Sequence, residues 1–244
     1  MNYVQPLNFQ PNYSGDQMAV LKNTTFLADP SFQRGYNRAC RAGGGDWGIH
    51  WRFHTCLWAA KNAMSLEGDF VECGVGKGFN SSGIMEALNW NSLDRQFYLF
   101  DTFSGVVEEL CTEAEKAQML NEWGGVDAHN RGLATYYAES FESVQRNFSE
   151  WKNVNFVRGA IPATLRDVSI DKVAYLHIDM NCVMPEMEAI EFFWPRLSTG
   201  ACVVLDDYAY FGYHLQLAAW NDWGARNGSP ILTLPTGQGL IVKT

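Results

Sequence analysis

From residue 70 onward the chain alternates short apolar runs with amphipathic stretches. Phe70–Cys73, Phe97–Phe100, Val154–Val157, Val173–Ile178 and Ala201–Leu205 are dominated by apolar, β-branched and aromatic residues. That pattern predicts buried strands. Helical stretches separate them, from about Ser81 to Leu88, from Pro185 to Leu197 and around Gln216–Ala225. The second of these opens on Pro and acids, as helix starts do. Residues 106–150 are longer than a crossover needs. They read as two polar helices, the second around "AESFESVQRNFSEW" (138–151). The end, "PILTLPTGQGLIVK" (230–243), reads as two antiparallel strands joined by a Pro-Thr-Gly-Gln turn. Upstream, Phe53, Leu57, Ala60 and Met64 share one helical face, which Gly68 in "LEGDF" (66–70) ends. Residues 1–45 are rich in Asn, Gln, Pro and Gly and read as irregular, closing in a flexible "RAGGGDWG" (41–48).

Strand–helix alternation predicts an α/β fold: a mostly parallel sheet, helices on both faces, and an antiparallel strand at the C-terminus. The division expected is an N-terminal irregular arm and cap helix over 1–65 and a main domain over 66–244, with a helical insert at about 106–150 that forms a lid or an oligomer contact. In such sheets ligands bind outside the carboxyl ends of the strands. Glu72, Asp101, Asp179 and the pair Asp206–Asp207 each close an apolar run, which places a set of acids along one edge.

Charge and composition narrow the function. A net charge of −9 argues against a nucleic-acid partner. No apolar run approaches the ~20 residues of a membrane-spanning helix, and the first residues do not have the form of a signal peptide. Six cysteines occur without a CxxC pair, which suits a reducing compartment; a cytoplasmic location is the expectation.

The stretch "VECGVGKGFNSSG" (71–83) sets Glu72, Gly74, Gly76 and Gly78 between a strand and a helix. Glycines permit a tight turn and close approach to a ligand. Ser81 and Ser82 suit the helix start, where free N–H groups favour an anion. Asp101, closing the next strand, can accept both hydroxyls of a ribose. A nicotinamide fingerprint needs Gly where Phe79 stands. The spacing acid-x-Gly-x-Gly-x-Gly instead resembles the first motif of Rossmann-like class I methyltransferases that use S-adenosylmethionine (SAM). More specifically, "GDFVECGVGKG", "LFDTFSGV", "LHIDMN", "LSTGACVVLDDY" and "GQGLIVK" occur in the order found in the macrocin O-methyltransferase-like family, over about residues 66–244.

That resemblance implies SAM-dependent O-methylation of a hydroxyl on a sugar, polyol or other small natural product. It implies cofactor contacts at Glu72, Cys73, Gly74, Gly76, Ser81, Asp101 and Thr102, and a divalent cation, Mg²⁺ or Mn²⁺, on Asp179, Asp206 and Asp207. Adjacent like charges such as Asp206–Asp207 repel unless something positive sits between them, and three carboxylates suit a hard cation. The family often carries a second Asp after the fourth strand as its proposed base. Asn181 stands there and cannot take a proton. His54 and His214 are the candidate replacements, because imidazole titrates near neutrality. His50 shares the helix face of His54, and His177 reads as core. Trp47, Trp51, Trp58, Tyr208, Tyr210 and Tyr213 are candidate pocket aromatics. A nicotinamide oxidoreductase and a non-catalytic SAM- or metal-binding protein remain the alternatives. The partners expected are a small-molecule acceptor and, as an open possibility, a second copy of the chain.

Overall fold

The computed structural model describes residues 11–134, 136–138 and 140–244. A small hairpin, β1 (Tyr13–Gly15) and β2 (Met18–Val20), precedes two helices, α1 (Pro30–Gly43) and α2 (His50–Ala63). Then follow β3 (Asp69–Cys73), α3 (Phe79–Ala87), β4 (Phe97–Asp101), α4 (Glu113–Trp123), α5 (Val126–Gly132), α6 (Phe141–Asn147), β5 (Val154–Arg158), β6 (Val173–Ile178), α7 (Val183–Phe193), β7 (Leu197–Leu205), α8 (His214–Asn227), β8 (Leu232–Thr233) and β9 (Gly239–Val242). The main sheet runs β5-β4-β3-β6-β7-β9-β8. β5, β4, β3, β6 and β7 are parallel, and β9 is antiparallel to both neighbours. This is the α/β sheet that the alternation predicts.

Side chains alternate across the sheet and divide the core in two. Phe70, Phe97, Tyr175 and Val204 pack with Phe53 and Leu57 under α1, α2 and α3. Their neighbours Val71, Leu176 and Val203 pack with Ile190, Phe193, Trp220 and Trp223 under α7 and α8. Every residue of β6 is buried, as a parallel strand covered on both faces requires.

Residues 30–43, expected to be irregular, form α1. Asp29 caps it by accepting from the Phe32 N–H at 2.8 Å, and Gly44 ends it at φ 80°. Phe32, Gly35, Tyr36, Ala39, Ala42 and Gly43 are buried at helical spacing. Gly35 lies against α3 so closely that a Cβ there would stand 2.7 Å from the Gly83 carbonyl. The small residues that made this segment look irregular are what lets the two helices meet. The insert carries three helices where two were expected. Helix α7 gives way to a 3₁₀ turn at Trp194–Arg196, and Leu197, expected at the helix end, already opens β7.

Candidate active site

A cavity of about 650 Å³ opens at the carboxyl ends of β3, β4, β5 and β6. Gly74, Gly76, Asp101, Thr102 and Phe103 line one side, Gly159, Ala160 and Ile161 another, and Asp179, Met180, Asn181 and Cys182 a third. Val106, Val107, Leu110, Tyr137 and Ala138 of the insert close the rest. The glycine loop is tied down on both sides. Gly74 donates its N–H to Phe100 at 2.8 Å, and Asp179 donates to Cys73 at 2.8 Å. Gly74 has φ +91°, and a Cβ on it would lie 1.7 Å from the Asp179 carbonyl oxygen. Only glycine fits there.

Asp101 holds the loop from the other side. Its Oδ2 accepts the N–H groups of Val75 at 2.6 Å and Gly76 at 2.8 Å, and its Oδ1 accepts that of Phe103 at 2.6 Å. Burial pushes this carboxyl's pKa up against the pull of those three donors. Thr102 donates its hydroxyl to the Gly105 carbonyl at 2.8 Å. Of the cofactor residues expected, Gly74, Gly76, Asp101 and Thr102 line the cavity. Cys73 and Ser81 are fully buried, and neither is among the lining residues. Glu72 also lies behind the wall, where its Oε1 is 2.9 Å from Nδ1 of His177 on β6.

The expected cation ligands meet something else. Arg52, in the first turn of α2 and 8% exposed, reaches the loop after β7. Its Nη1 binds Asp206 Oδ2, its Nη2 lies 3.5 Å from Asp207 Oδ1, and its Nε lies 3.3 Å from Asp16 Oδ2 in the β1–β2 turn. The guanidinium also sits 4.4 Å from the Tyr210 ring centroid. Burial works against its charge, yet Asp206 and Asp207 hold its pKa above the ordinary value. Asp206 additionally accepts from Gln238 Nε2 at 2.9 Å and faces His177 Nε2 at 3.6 Å. Burial would raise its carboxyl, but Arg52 and then His177 hold it well below the usual range. Asp207 is pushed up to about 6, by burial first. Asp179 is raised well above its ordinary value by burial and then by Asp206 and Asp207.

Carboxylate oxygens expected to hold a hard divalent cation are instead engaged by Arg52 and Gln238. Among the described residues the group of metal-capable donors lying mutually within 4.8 Å is Cys56, His177 and Asp206, all buried. A thiol and an imidazole are soft partners for Mg²⁺, and Gln238 already spans Asp206 and Cys56. The three aspartates do not form such a group.

The two histidine candidates lie away from the cavity. His54 stacks on Phe26, with ring centroids 4.1 Å apart, and burial lowers its pKa. His214 is the exposed first residue of α8. His50 stacks on Tyr36. Asn181 does line the cavity, at φ +58°, a left-handed conformation that Asn tolerates. Its side-chain oxygen accepts from the Tyr213 hydroxyl, which lies 3.5 Å from His129 Nε2. Tyr210 and Tyr213 flank the acids, Trp47 stacks on Phe79, and Trp58 is exposed.

Sequence reasoning missed Arg52, Tyr137 and His129. Tyr137 lines the cavity with a buried hydroxyl that has no hydrogen-bond partner among the described residues. Arg52 did carry a signal: it is a cation one turn before Cys56, the one charged residue on a helix face that otherwise buries apolar residues.

A model of the macrocin O-methyltransferase (TylF) family matches residues 51–229 of the chain. An 8-demethyl-8-(2,3-dimethoxy-alpha-L-rhamnosyl)-tetracenomycin-C 4'-O-methyltransferase of Streptomyces olivaceus is 28% identical over 154 residues, 60% of this chain and 55% of that protein. A mycinamicin III 3''-O-methyltransferase of Micromonospora griseorubida is 27% identical over 150 residues, 59% of this chain and 56% of that protein. The matches thus span about half the length of these curated relatives. Among solved structures, the O-methyltransferase NovP superposes with a TM-score of 0.70 at 21% identity, covering 91% of this chain and 100% of that one. The calicheamicin methyltransferase CalS11 gives 0.61 at 12% identity, covering 92% and 99%. These two likenesses bear on the fold.

Proposed function

The chain belongs to the macrocin O-methyltransferase family, and on that premise we propose that it is a SAM-dependent O-methyltransferase acting on a hydroxyl of a sugar or sugar-bearing natural product. The observation that carries the reading is the strand-end cavity, with Gly74 pressed on the Asp179 backbone and Asp101 gathering the loop N–H groups. The relatives named for O-methylating a rhamnosyl-tetracenomycin and mycinamicin III support the acceptor class.

SAM would supply an electrophilic methyl group. The chain's part is to hold and orient, and methyl transfer is an in-line displacement in which positioning carries much of the rate. Gly74 and Gly76 let the backbone approach the cofactor, while Asp101 and Thr102 offer oxygens to ribose hydroxyls. Asp179 stands at the acceptor end with Tyr137. Asp179, as the carboxylate, takes the proton of the acceptor hydroxyl, and burial with the neighbouring acids raises its affinity for that proton. Tyr137 donates to an acceptor oxygen. His54 and His214 have no part in this reading, and no step runs through a metal. The insert excludes water from one side of the cavity.

Calorimetry with SAM and with NADH, followed by transfer of labelled methyl groups to glycosides with free sugar hydroxyls, tests the reading. SAM binding and label on a glycoside oxygen are expected. NADH binding without SAM binding overturns it, and SAM binding with no transfer to any hydroxyl leaves a binding protein.

A further inference from the structure

We propose that the guanidinium of Arg52 is the resident cation of the Asp206–Asp207 pair, and that this chain balances those two acids without a divalent metal. This deepens the methyltransferase reading, because it states which positive charge faces the acceptor end of the cavity.

The first ground is occupancy of the carboxylate oxygens. Asp206 Oδ2 is taken by Arg52, and Oδ1 by Gln238, with His177 beyond it. Asp207 Oδ1 faces Arg52 Nη2. A cation binding this pair has to displace a charge-assisted contact and a side-chain amide, all in a buried setting where such contacts are strong. The second ground is how Arg52 is held. It rises from α2, whose buried face packs beside the sheet. The Tyr210 ring covers its guanidinium and Asp16 closes its remaining edge. The planar fork faces Asp206 with Nη1 and Asp207 with Nη2, a geometry for which Arg and not Lys is suited. Third, Asn181 adds no charge. Its oxygen is spent on Tyr213, so the position contributes nothing to a cage of anionic oxygens, which hard cations favour.

The same contacts give Arg52 a positioning role. Asp16 belongs to the β1–β2 turn, and its neighbour Gln17 donates to the Tyr210 hydroxyl at 2.7 Å. Arg52 therefore pins the N-terminal hairpin over the acids.

Mn²⁺ binding, followed by electron paramagnetic resonance and calorimetry without substrate, separates this proposal from the methyltransferase reading, since neither readout needs turnover. Wild-type protein is expected to show no saturable site tighter than ~1 mM, the weak end of carboxylate cation sites. Arg52→Gln frees the acids and is expected to bind Mn²⁺ at least ~10-fold more tightly. Arg52→Lys keeps the charge and is expected to bind no better than wild type. One Mn²⁺ bound by wild type at micromolar concentration, and lost in Asp206→Asn, overturns the proposal. Should Arg52→Gln fail to fold, the wild-type titration decides alone.

Discussion

The two halves of the strand edge are organised by opposite means. On the β3–β4 side the backbone does most of the work: the glycine loop threads between β4 and β6, and one carboxylate collects its N–H groups. On the β6–β7 side the side chains of five distant segments meet: Asp16, Arg52, His177, Asp206 with Asp207, and Gln238. The first arrangement is local in sequence and depends on shape. The second depends on long-range charge balance. Each should fail in its own way.

The backbone side offers the largest effect. Gly74→Ala puts a Cβ 1.7 Å from the Asp179 carbonyl oxygen at φ +91°. Neither strand end can yield without breaking ladder hydrogen bonds. The variant should lose ~3 kcal/mol or more of stability and ~100-fold or more in SAM affinity. Gly45→Ala is the control, since nothing lies within 4 Å of a Cβ there; it should change stability by less than ~0.5 kcal/mol. Urea denaturation and calorimetry check both. Equal effects would show that the loop is held by something other than this close approach.

The charged side is sharpened by Glu186, an acid with no Arg52. It is buried on α7, and its Oε2 accepts from Trp220 Nε1 at 2.8 Å. Burial pushes its pKa up to about 8, whereas Asp206 beside Arg52 is held low. The folded state thus keeps a proton that the unfolded state gives up at the ordinary Glu value. Its contribution to stability is full below the unfolded pKa and is lost as pH rises towards 8. Glu186→Gln removes that titration. Between about pH 5 and 8, wild type should lose up to ~1.4 kcal/mol per pH unit relative to the variant. Urea midpoints across that range check it. A constant difference would mean that Glu186 stays ionised and has a counter-charge.

The same contrast explains what could be read from sequence. The parallel sheet, its strand ends and the glycine loop were legible because each is signalled within a few residues, by apolar runs and glycines. Helix α1 was not, because Gly35 and Gly43 interrupt a buried face that otherwise carries Phe32, Tyr36, Ala39 and Ala42, and glycine reads as a loop where the spacing indicates a helix. Glu72, expected at the cofactor, lies behind the cavity wall for a related reason. Its position beside the glycine loop suggested the cofactor, but parallel register sets it opposite His177, and side chains on that face point into the core. Arg52 lies 154 positions from Asp206, and no local pattern announces such a pairing. The repulsion between Asp206 and Asp207 did announce that some cation was needed.

The smallest effect concerns the histidines, and it tests whether proximity in sequence to the acid pair means anything. His214 follows Asp207 closely but opens α8 with its side chain exposed. A solvated imidazole outside the cavity can neither accept the acceptor's proton nor support the core. His214→Ala should leave kcat within ~3-fold and stability within ~0.5 kcal/mol. His54→Ala is the sharper half of the pair. It removes a half-buried ring stacked on Phe26, so stability should fall by about 1 kcal/mol, with kcat again within ~3-fold. A base removed from the reaction would instead lower kcat by ~10²–10⁴. A fall of that size in either variant would move the proton from Asp179 to that imidazole, and place the acceptor on the α2 or α8 side of the cavity.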